Sequence, residues 1–306
     1  MRSNVNRKTY ATKNSHKFGR CFQRTVLTTG MKNRILLTGA AGFIGSHVAE
    51  YFIGKGFSVY GIDNFDDFYP RAIKEHNLKN MLSYPGFTFT EGDITDKATL
   101  AKLPDNIDSV IHLAAKAGVR PSIQNPSAYI QNNITGTWNI LEWMKHRKIS
   151  KMVFASSSSV YGNNPKTPFS ESDNVDNPIS PYAFTKKSCE LMNYTYHHLY
   201  NMDILNLRFF TVYGERQRPD LAIYKFIDAT LEDKSITLYG DGSTARDYTY
   251  VKDIVTGVAS AFDYVQAGKN IYDIINLGNN KPVKLMELVD MIYEITGKKQ
   301  GFFTWA

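Results

Sequence analysis

Short apolar runs alternate with longer segments of helical periodicity along most of this chain. β-branched and aromatic runs predict strands, and segments whose apolar residues recur every three and four positions predict helices. Such alternation is typical of βαβ units, so it predicts an α/β fold with a doubly wound parallel sheet. The predicted strands are 34–39, 57–63, 87–92, 108–114, 151–157, 203–210 and 272–278. The predicted helices are 42–55, 71–82, 126–147, 181–200, 253–267 and 284–296.

The pattern loosens after the strand at 203–210, where a segment rich in Gly, Pro and Arg follows. We therefore predict a main domain over 31–210, to which 248–278 returns. Residues 211–247 and 279–306 form a smaller C-terminal lobe in this prediction, and their composition suits a cap over a substrate. Parallel sheets bind ligands beyond the carboxyl ends of their strands, so residues that follow strands are the first candidates for a site.

The composition is that of an ordinary globular protein. Of the 306 residues, 42% are hydrophobic and 21% are charged, which argues against a disordered or low-complexity chain. No apolar run reaches the ~18 residues that a membrane span needs. The two cysteines, Cys21 and Cys189, provide neither a disulfide framework nor the spacing of a zinc site. We expect a cytoplasmic protein with no membrane partner and no bound metal.

The net charge of +7 comes from the first thirty residues. This segment holds seven basic residues and no acid, whereas the rest of the chain has 29 basic and 29 acidic residues. Because the body is neutral, we expect no nucleic-acid partner. We predict that 1–30 is a basic extension outside the fold. Three interpretations of this extension are open. It is an upstream segment that precedes a native start at Met31, a disordered tail, or an organellar targeting peptide.

A glycine-rich turn joins the first predicted strand to the first predicted helix. Gly39, Gly42 and Gly45 are spaced by three, which permits a tight turn and a close approach of the backbone to a pyrophosphate. The helix N-terminus that follows favours a bound anion through its free N–H groups and its dipole. We predict a Rossmann-like dinucleotide site in which these glycines, Phe43 and Ile44 contact the cofactor.

An acid at the end of the second strand indicates which dinucleotide is bound. The Asp63 carboxylate can accept hydrogen bonds from an adenosine ribose 2′-OH and would repel a 2′-phosphate, so NAD is predicted rather than NADP. A solvated loop acid beside Asp66 and Asp67 is the alternative interpretation. Further candidate cofactor contacts follow the second, third and fourth strands: Asn64, Asp93, Ile94, Ala114, Ala115 and Lys116. Each of these residues taken alone could equally be an ordinary loop residue without a role in binding.

Tyr182 and Lys186 lie four residues apart in a predicted helix, which places them on one face. An ammonium beside a phenol favours the phenolate and makes it usable as a general base. A half-buried tyrosine near a surface lysine would have the same spacing, so the pair alone decides nothing. Four consecutive serines end the fifth strand at the same edge of the sheet. There Ser157 can hydrogen-bond a substrate hydroxyl, and Ser158 and Ser159 can line the floor of the site.

Six segments, TGAAGFIG, HLAA, SSSSVYG, PYAFTK, RFFTVYG and GDGSTARDYTYV, occur in this order. Together they resemble the extended short-chain dehydrogenase/reductases of the nucleotide-sugar epimerase group over 32–299. An arginine offers a charged fork that suits a phosphate. The resemblance implies a catalytic triad of Ser157, Tyr182 and Lys186. It also implies that Asn133 and Lys116 contact NAD and that Arg246 binds the diphosphate of a UDP-sugar.

Two further features indicate which reaction of this group to expect. Dehydratases and decarboxylases of the superfamily usually carry an acid where this chain has Ser158 and Ser159, so 4-epimerisation through a 4-keto sugar is predicted. The segment TVYGERQRPD resembles the UDP-glucuronate 4-epimerases, with a departure at 215–217. In that group a Thr and an Arg hold the sugar carboxylate, which implies the same role for Thr211 and Arg218. We therefore predict conversion of UDP-glucuronate to UDP-galacturonate.

Other interpretations remain open from the sequence. If Arg216 and Arg218 only cap a helix or coat a loop, the chain is a UDP-glucose or UDP-N-acetylglucosamine 4-epimerase instead. Relatives continue past the point where this chain ends in GFFTWA, so we expect a truncation, a frame-shifted end or a natural stop. An inactive NAD-binding remnant is the third hypothesis. The resemblance also implies a homodimer in which helices 126–147 and 181–200 pair as a four-helix bundle.

Overall fold

The structure is a computed structural model that describes residues 33–299, 301 and 303–305. The predictions for residues 1–30 and for Met31 lie outside these residues. The strands are β1 Arg34–Thr38, β2 Ser58–Asp63, β3 Phe87–Glu91, β4 Ser109–His112, β5 Lys151–Ser157, β6 Asp203–Phe209, β7 Thr211–Tyr213, β8 Ile236–Leu238, β9 Ala245–Tyr250, β10 Tyr272–Leu277, β11 Pro282–Lys284 and β12 Phe303–Trp305. The α-helices are α1 Phe43–Gly54, α2 Arg71–Leu78, α3 Lys97–Ala101, α4 Val119–Gln124, α5 Pro126–Tyr129, α6 Gly136–His146, α7 Pro181–Tyr200, α8 Ala222–Leu231, α9 Val251–Ala267 and α10 Leu285–Thr296. Among the described residues, no helix combines the length and the apolar content that crossing a bilayer requires.

A seven-stranded sheet forms the centre of the molecule. Its strand order is β3-β2-β1-β4-β5-β6-β10, and every neighbouring pair is parallel. The chain winds outward in one direction from β1 and in the other from β4, so the winding reverses between these two strands. Ligands of such sheets bind beyond the carboxyl ends of the strands at this reversal. The predicted Rossmann-like, doubly wound parallel sheet is confirmed.

Helices cover both faces of this sheet, which explains why its strands are apolar runs rather than alternating patterns. α1 and α9 pack on one face, where the rings of Phe52 and Phe262 lie 4.9 Å apart. α6 and α7 pack on the other face, with Ile140, Leu141 and Met144 in the shared core. The two-sided core leaves the loops at the carboxyl edge of the sheet to form a site.

Part of the chain after β6 forms two small sheets with an apolar core of their own, the smaller lobe, and the predicted domain bounds stay a prediction. β7, β9 and β11 form one sheet and β8 pairs with β12. α8 and α10 pack around a core that includes Phe226, Leu238, Leu288 and Val289. The sequence pattern does not predict β7, β8, β9, β11 and β12. Four of these strands have three residues and are too short to show an alternating pattern, and β9 has the polar sequence ARDYTY without an apolar run.

The long helix predicted over 126–147 is interrupted. A π-helical segment, Ile130–Thr135, separates α5 from α6. It contains Asn133, whose buried side chain hydrogen-bonds to the backbone of Lys116. Single π-helical turns are frequent at functional positions. The interruption therefore marks the place where this helix touches the loop after β4.

Candidate active site

The glycine turn between β1 and α1 lies at the carboxyl edge of the sheet. Gly39 has a φ of 72°, and a Cβ there would lie 2.9 Å from the backbone nitrogen of Ala114. A Cβ at Gly45 would lie 2.0 Å from the carbonyl oxygen of Gly39. Within the described part of the chain, no side chain caps α1 at Gly42 and its first turn holds no acid. The positive end of the helix dipole therefore faces the edge of the sheet.

Asp63 joins the glycine turn to the loop after β2. Its Oδ2 accepts a hydrogen bond from the Ala41 N–H at 3.1 Å, and its Oδ1 accepts one from the Phe65 N–H at 2.9 Å. Burial raises the pKa of this carboxyl, while the two backbone bonds and the nearby Lys74 ammonium act to lower it. A carboxylate can accept about four hydrogen bonds, so Asp63 retains lone pairs for a hydroxyl group.

Asn64, Asp93 and Ile94 follow β2 and β3 at the same edge. Asn64 Nδ2 donates to Asp93 Oδ2 at 2.8 Å. Burial acts to raise the pKa of Asp93, but hydrogen bonds from Thr95 and Asn64 outweigh it and hold the pKa below its usual value. Ile94 is buried in the core behind them. Asp93 is therefore a charged, well-anchored side chain rather than a loosely solvated one.

The loop after β4 contains Ala114 and Ala115 and is anchored by Lys116. The Lys116 ammonium forms a 2.6 Å ion pair with Asp66 Oδ2, which connects this loop to the loop after β2. The Lys116 N–H donates to Asn133 Oδ1 at 2.8 Å, and the Lys116 carbonyl accepts from Asn133 Nδ2 at 3.0 Å. Asn133 thus fixes the loop, and direct contact between these two side chains and a cofactor stays a prediction.

The serines at the end of β5 face opposite sides of the sheet, as alternate residues of a strand do. Ser156 Oγ donates to buried Glu190 at 2.6 Å. Ser157 Oγ lies 2.7 Å from Ser159 Oγ and accepts the Ser159 N–H at 3.2 Å. Ser158 begins the 3₁₀ turn that follows. The hydroxyls of Ser157 and Ser159 therefore form one polar cluster at the carboxyl edge.

Tyr182 lies in the first turn of α7. Ser180 caps this helix by accepting the Ala183 N–H at 3.1 Å. The Tyr182 ring meets Tyr129 edge to face, with the ring centres 6.2 Å apart. Burial raises the pKa of Tyr182, while a hydrogen bond with Ser157 and the charge of Arg218 act to lower it. Ser157, Tyr182 and Arg218 are therefore brought together, although they come from three separate parts of the chain.

Lys186 lies one turn further along α7 and is buried. Its Nζ lies 2.7 Å from the Ala155 carbonyl oxygen and 5.0 Å from the centre of the Phe154 ring. The position of its ammonium beside the Tyr182 phenol stays a prediction. Burial lowers the pKa of Lys186 to about 8, with Cys189 and Glu190 acting in the opposite direction. Of the two groups that act to lower the pKa of Tyr182, Ser157 and Arg218, Arg218 is the charged one.

A buried ion pair lies behind the serine cluster. Arg208 on β6 donates from Nε and Nη2 to the two oxygens of Glu190, both at 2.9 Å. Each of these side chains is 1% exposed. Arg208 Nη1 also donates to the Tyr161 hydroxyl at 2.9 Å, and Tyr161 donates to Asn276 Oδ1 at 2.7 Å. This network ties β5, β6, β10 and α7 together directly behind Ser157.

Arg218 lies in the loop that precedes α8. Its Nε and Nη2 donate to the two carboxylate oxygens of Asp220 at 2.9 and 2.8 Å. Its guanidinium carbon lies 5.1 Å from the centre of the Phe68 ring. Thr211 begins β7 and is half-buried, whereas Arg246 lies on β9 and is exposed. Of the predicted substrate residues, Arg218 is thus the one whose charge acts directly on Tyr182.

Residues 215–217, where the chain departs from the sequence pattern of the UDP-glucuronate 4-epimerases, make structural contacts. Arg216 has a φ of 64° and donates to Glu50 on α1 at 2.6 Å. The Glu215 carbonyl oxygen lies 2.9 Å from His47 Nε2, and its carboxylate accepts the Tyr250 hydroxyl at 2.8 Å. These contacts attach the loop that carries Arg218 to α1. Arg216 is therefore a structural residue, whereas Arg218 faces the candidate site.

Comparison with known protein families matches residues 35–278 to the NAD dependent epimerase/dehydratase family. The chain belongs to this family. The predicted membership of the nucleotide-sugar epimerase group is confirmed, and the chain is an NAD-dependent epimerase.

Named relatives and solved structures resemble this epimerase closely. It is 45% identical to a UDP-glucuronate 4-epimerase of Thermodesulfobacterium geofontis over 86% of this chain and 81% of that one. It is similar to the crystal structure of UDP-glucuronic acid 4-epimerase from Bacillus cereus in complex with UDP-glucuronic acid and NAD, with 38% identity, a TM-score of 0.83, and coverage of 89% and 85%. A UDP-N-acetylglucosamine 4-epimerase from Methanobrevibacter ruminantium has 36% identity, a TM-score of 0.80, and coverage of 90% and 86%.

The glycine turn of this epimerase fits its cofactor, NAD. Side chains at Gly39 or Gly45 would fill the space against the backbone that a pyrophosphate needs. The uncapped N-terminus of α1 offers free N–H groups to an anion, within the described residues. Asp63 retains acceptor capacity at the end of β2, as the predicted contact with a ribose hydroxyl requires. The glycine turn, the N-terminus of α1 and Asp63 therefore have the chemical groups that binding of NAD requires.

Several residues of this epimerase lie at the candidate site although no sequence motif indicates them. Lys74 is buried beside Asp63, Asp66 pairs with Lys116, and Asp220 pairs with Arg218. The segment IDNFDDFYP contains Asp66 and Phe68, but periodicity and spacing give no signal for contacts across separate loops. Asp220 follows Arg218 by two residues, so the ion pair between them is the one of these contacts that the sequence could have predicted.

Proposed function

We propose that this epimerase interconverts UDP-glucuronate and UDP-galacturonate by inverting C4 of the sugar. The observation that carries the proposal is the position of Arg218, whose positive charge acts on the Tyr182 phenol. A cationic fork beside a candidate base suits a sugar with a carboxylate next to the reacting carbon. The 45% identity to a relative named UDP-glucuronate 4-epimerase supports the same substrate.

Proton transfer is assigned to Tyr182. Its phenolate takes the proton of the sugar 4-hydroxyl, and the phenol returns that proton after the 4-keto sugar has turned its other face to the site. The Ser157 hydroxyl, which interacts with Tyr182, holds the sugar 4-oxygen in line. When bound, NAD supplies the acceptor and donor of the hydride at C4. Each complete turnover returns Tyr182 to its starting protonation state.

Tyr182 needs positive charge nearby to act as a base, because burial raises its pKa. Arg218 provides one such charge. Lys186 uses one of its three N–H donors on the Ala155 carbonyl, which leaves two for a cofactor hydroxyl. The proposed role of Lys186 is therefore on the cofactor side of the site, together with fixing the end of β5.

The remaining site residues are assigned by their positions at the carboxyl edge. Gly39, Gly42, Phe43, Ile44 and Gly45 hold the pyrophosphate, and Asp63 binds the adenosine ribose. Substrate contacts are divided between the carboxylate and the diphosphate of the sugar nucleotide. The carboxylate contacts are Thr211 and Arg218, the diphosphate contact is Arg246, and Ser158 and Ser159 line the floor beneath the sugar.

A second candidate function is 4-epimerisation of a neutral UDP-sugar. The ion pair between Arg218 and Asp220 favours it, because Arg218 then has a counter-ion without any substrate carboxylate. The similarity to a UDP-N-acetylglucosamine 4-epimerase agrees with this candidate. The two candidates share Tyr182 chemistry and differ in whether Arg218 contributes to binding of the sugar.

The test uses the purified full chain with UDP-glucuronate and, separately, with UDP-glucose. The C4 epimers are followed by NMR, first without added cofactor and then with NAD⁺. We expect turnover of the uronate, loss of turnover in Tyr182→Phe, and a fall of at least about tenfold in kcat/KM in Arg218→Ala. Arg34→Ala is the matched control, because Arg34 forms an exposed ion pair with Asp108 at the opposite edge of the sheet.

Each outcome of this experiment separates the candidates. Turnover of UDP-glucose alone, with Arg218→Ala as active as wild type, would establish the neutral-sugar function. Absence of turnover with either sugar, even with NAD⁺ present, would favour an inactive NAD-binding protein. Conversion of the uronate that is unaffected by Arg218→Ala would remove the assigned role of that arginine.

We also propose that the epimerase is a homodimer. α7 presents Phe184, Leu191 and Tyr194 at the helical spacing of one face, and all three are exposed. The neighbouring π-helical segment and α6 expose Ile130 and Trp138. A twofold axis through this two-helix face would pair it with the same face of a second copy, because isologous interfaces are self-complementary. The result would be a four-helix bundle of the kind that the sequence predicts.

A further inference from the structure

Arg218 is held from two sides by residues that proton and hydride transfer do not require. Asp220 accepts two parallel hydrogen bonds from its Nε and Nη2. The Phe68 ring lies 5.1 Å from its guanidinium carbon, within the range of a cation–π contact. Asp220 precedes α8, while Phe68 belongs to the loop after β2. Two separate loops thus converge on one side chain.

The two contacts use different parts of the guanidinium. A planar guanidinium has five N–H donors, and two of its edges can each hold a carboxylate through a parallel pair of bonds. Asp220 occupies the edge formed by Nε and Nη2. No described residue accepts a hydrogen bond from Nη1, so the edge formed by Nη1 and Nη2 is available. Arg218 can therefore hold Asp220 and a second carboxylate at the same time.

The charge of the guanidinium also acts on two phenols of the candidate site. Burial raises the pKa of Tyr129 to about 12, and Arg218 acts against this rise, as it does at Tyr182. Tyr129 and Tyr182 meet edge to face. In the proposed function, the carboxylate on the available edge of Arg218 and the 4-hydroxyl that Tyr182 deprotonates belong to the same sugar ring.

We propose that Asp220 and Phe68 are positioning residues that give this epimerase its selectivity for a carboxylated sugar. This inference rests on the proposed function, because that function assigns Arg218 to the substrate carboxylate. Asp220 fixes the rotation of the guanidinium within its plane, and Phe68 fixes the tilt of that plane. An arginine held in this way loses little side-chain freedom when a second carboxylate binds, so binding is stronger than to a mobile arginine.

The test measures ligand binding by calorimetry on the NAD-loaded full chain, together with KM and kcat. The ligands are UDP-glucuronate, UDP-glucose and UDP. Asp220→Asn removes the anionic acceptor, Phe68→Leu removes the aromatic face, and Phe68→Tyr keeps it. The matched control is Asp233→Asn, which breaks an exposed ion pair with Lys298 in the smaller lobe.

We expect Asp220→Asn and Phe68→Leu to weaken UDP-glucuronate binding and to raise its KM by about tenfold. Their kcat, and their affinities for UDP and UDP-glucose, should stay within about twofold of wild type, since neither residue contacts the parts that these ligands share. Phe68→Tyr should retain wild-type binding of the uronate. Asp233→Asn should match wild type throughout.

Other outcomes distinguish failure of this inference from failure of the proposed function. If wild type binds UDP-glucuronate no more tightly than UDP-glucose, the proposed substrate is wrong and the positioning role is overturned with it. If wild type prefers the uronate and Asp220→Asn keeps the full preference, the positioning role alone is overturned. Tighter uronate binding in Asp220→Asn would also overturn it, because Asp220 would then be a competitor. Equal weakening of all three ligands would indicate structural damage and would equally contradict selectivity.

Discussion

His112 shows how a single buried residue supports the cofactor edge. It is 1% exposed at the end of β4. Thr38 Oγ1 accepts the N–H groups of Leu113 and Ala114, so its own proton goes to His112 Nδ1 at 2.6 Å. The ring nitrogen Nε2 then donates to Thr137 Oγ1 at 3.0 Å. This arrangement requires a neutral imidazole.

Acidification should therefore destabilise the fold through His112. Burial lowers its pKa from an ordinary value of 6.5 to about 3, so between these values the unfolded chain binds a proton that the folded chain does not. The contribution of neutral His112 to the free energy of unfolding is complete above pH 6.5. As the pH falls below this value, the free energy of unfolding decreases by about 1.4 kcal/mol per pH unit. Urea unfolding at pH 7, 6 and 5 measures this slope.

Two variants isolate the contribution of this histidine. His112→Asn should lose stability more slowly on acidification than wild type, whatever its absolute stability at pH 7. His76→Asn, which replaces an exposed histidine on α2, should keep the wild-type slope. Equal slopes in His112→Asn and wild type would show that other groups account for the loss.

At the scale of an element, α1 has glycines with opposite surroundings. Gly45 faces the backbone of Gly39, whereas a Cβ at Gly54 would meet nothing within 4 Å. Gly45→Ala should open the turn, reduce the NAD that copurifies, and destabilise the chain by about 2 kcal/mol. Gly54→Ala should retain NAD and gain about 0.5 kcal/mol. Cofactor content and urea unfolding measure both effects, and NAD retained by Gly45→Ala would contradict the assigned cradle.

Elements with strong patterns could be predicted from the sequence, and contacts between loops could not. β1, α1 and α7 have apolar periodicity, a glycine turn or a capping serine within a few residues, so local rules identify them. The Arg218 environment depends on Phe68, which is distant in sequence and belongs to a polar loop. Lys186 shows the same limit, because helical spacing places it on the face of Tyr182 but cannot say which acceptor its ammonium reaches.

At the scale of the whole molecule, the exposed apolar face of α6 and α7 predicts the oligomeric state. Leu191 is 57% exposed at the middle of this face. Leu191→Glu should convert the proposed dimer to a monomer, because two buried carboxylates would face each other near a twofold axis. Leu82→Glu changes a leucine of equal exposure on another surface and should leave the dimer intact. Light scattering after gel filtration measures both, and an unchanged dimer in Leu191→Glu would place the interface elsewhere.

The attachment of the 214–218 loop to α1 has a thermodynamic consequence for the two ligands. One end of this connection carries Arg218, which is proposed to bind the sugar carboxylate, and the other end is α1, whose N-terminus is proposed to bind the dinucleotide. The Arg218 side chain is already held by Asp220 and Phe68, so the freedom that binding can still remove belongs to the loop backbone and to α1. When one ligand removes it, the other ligand has less to remove. Linkage then requires that NAD and the sugar nucleotide raise each other's affinity by the same factor. A sugar nucleotide that enters the site therefore also slows the escape of the cofactor it needs.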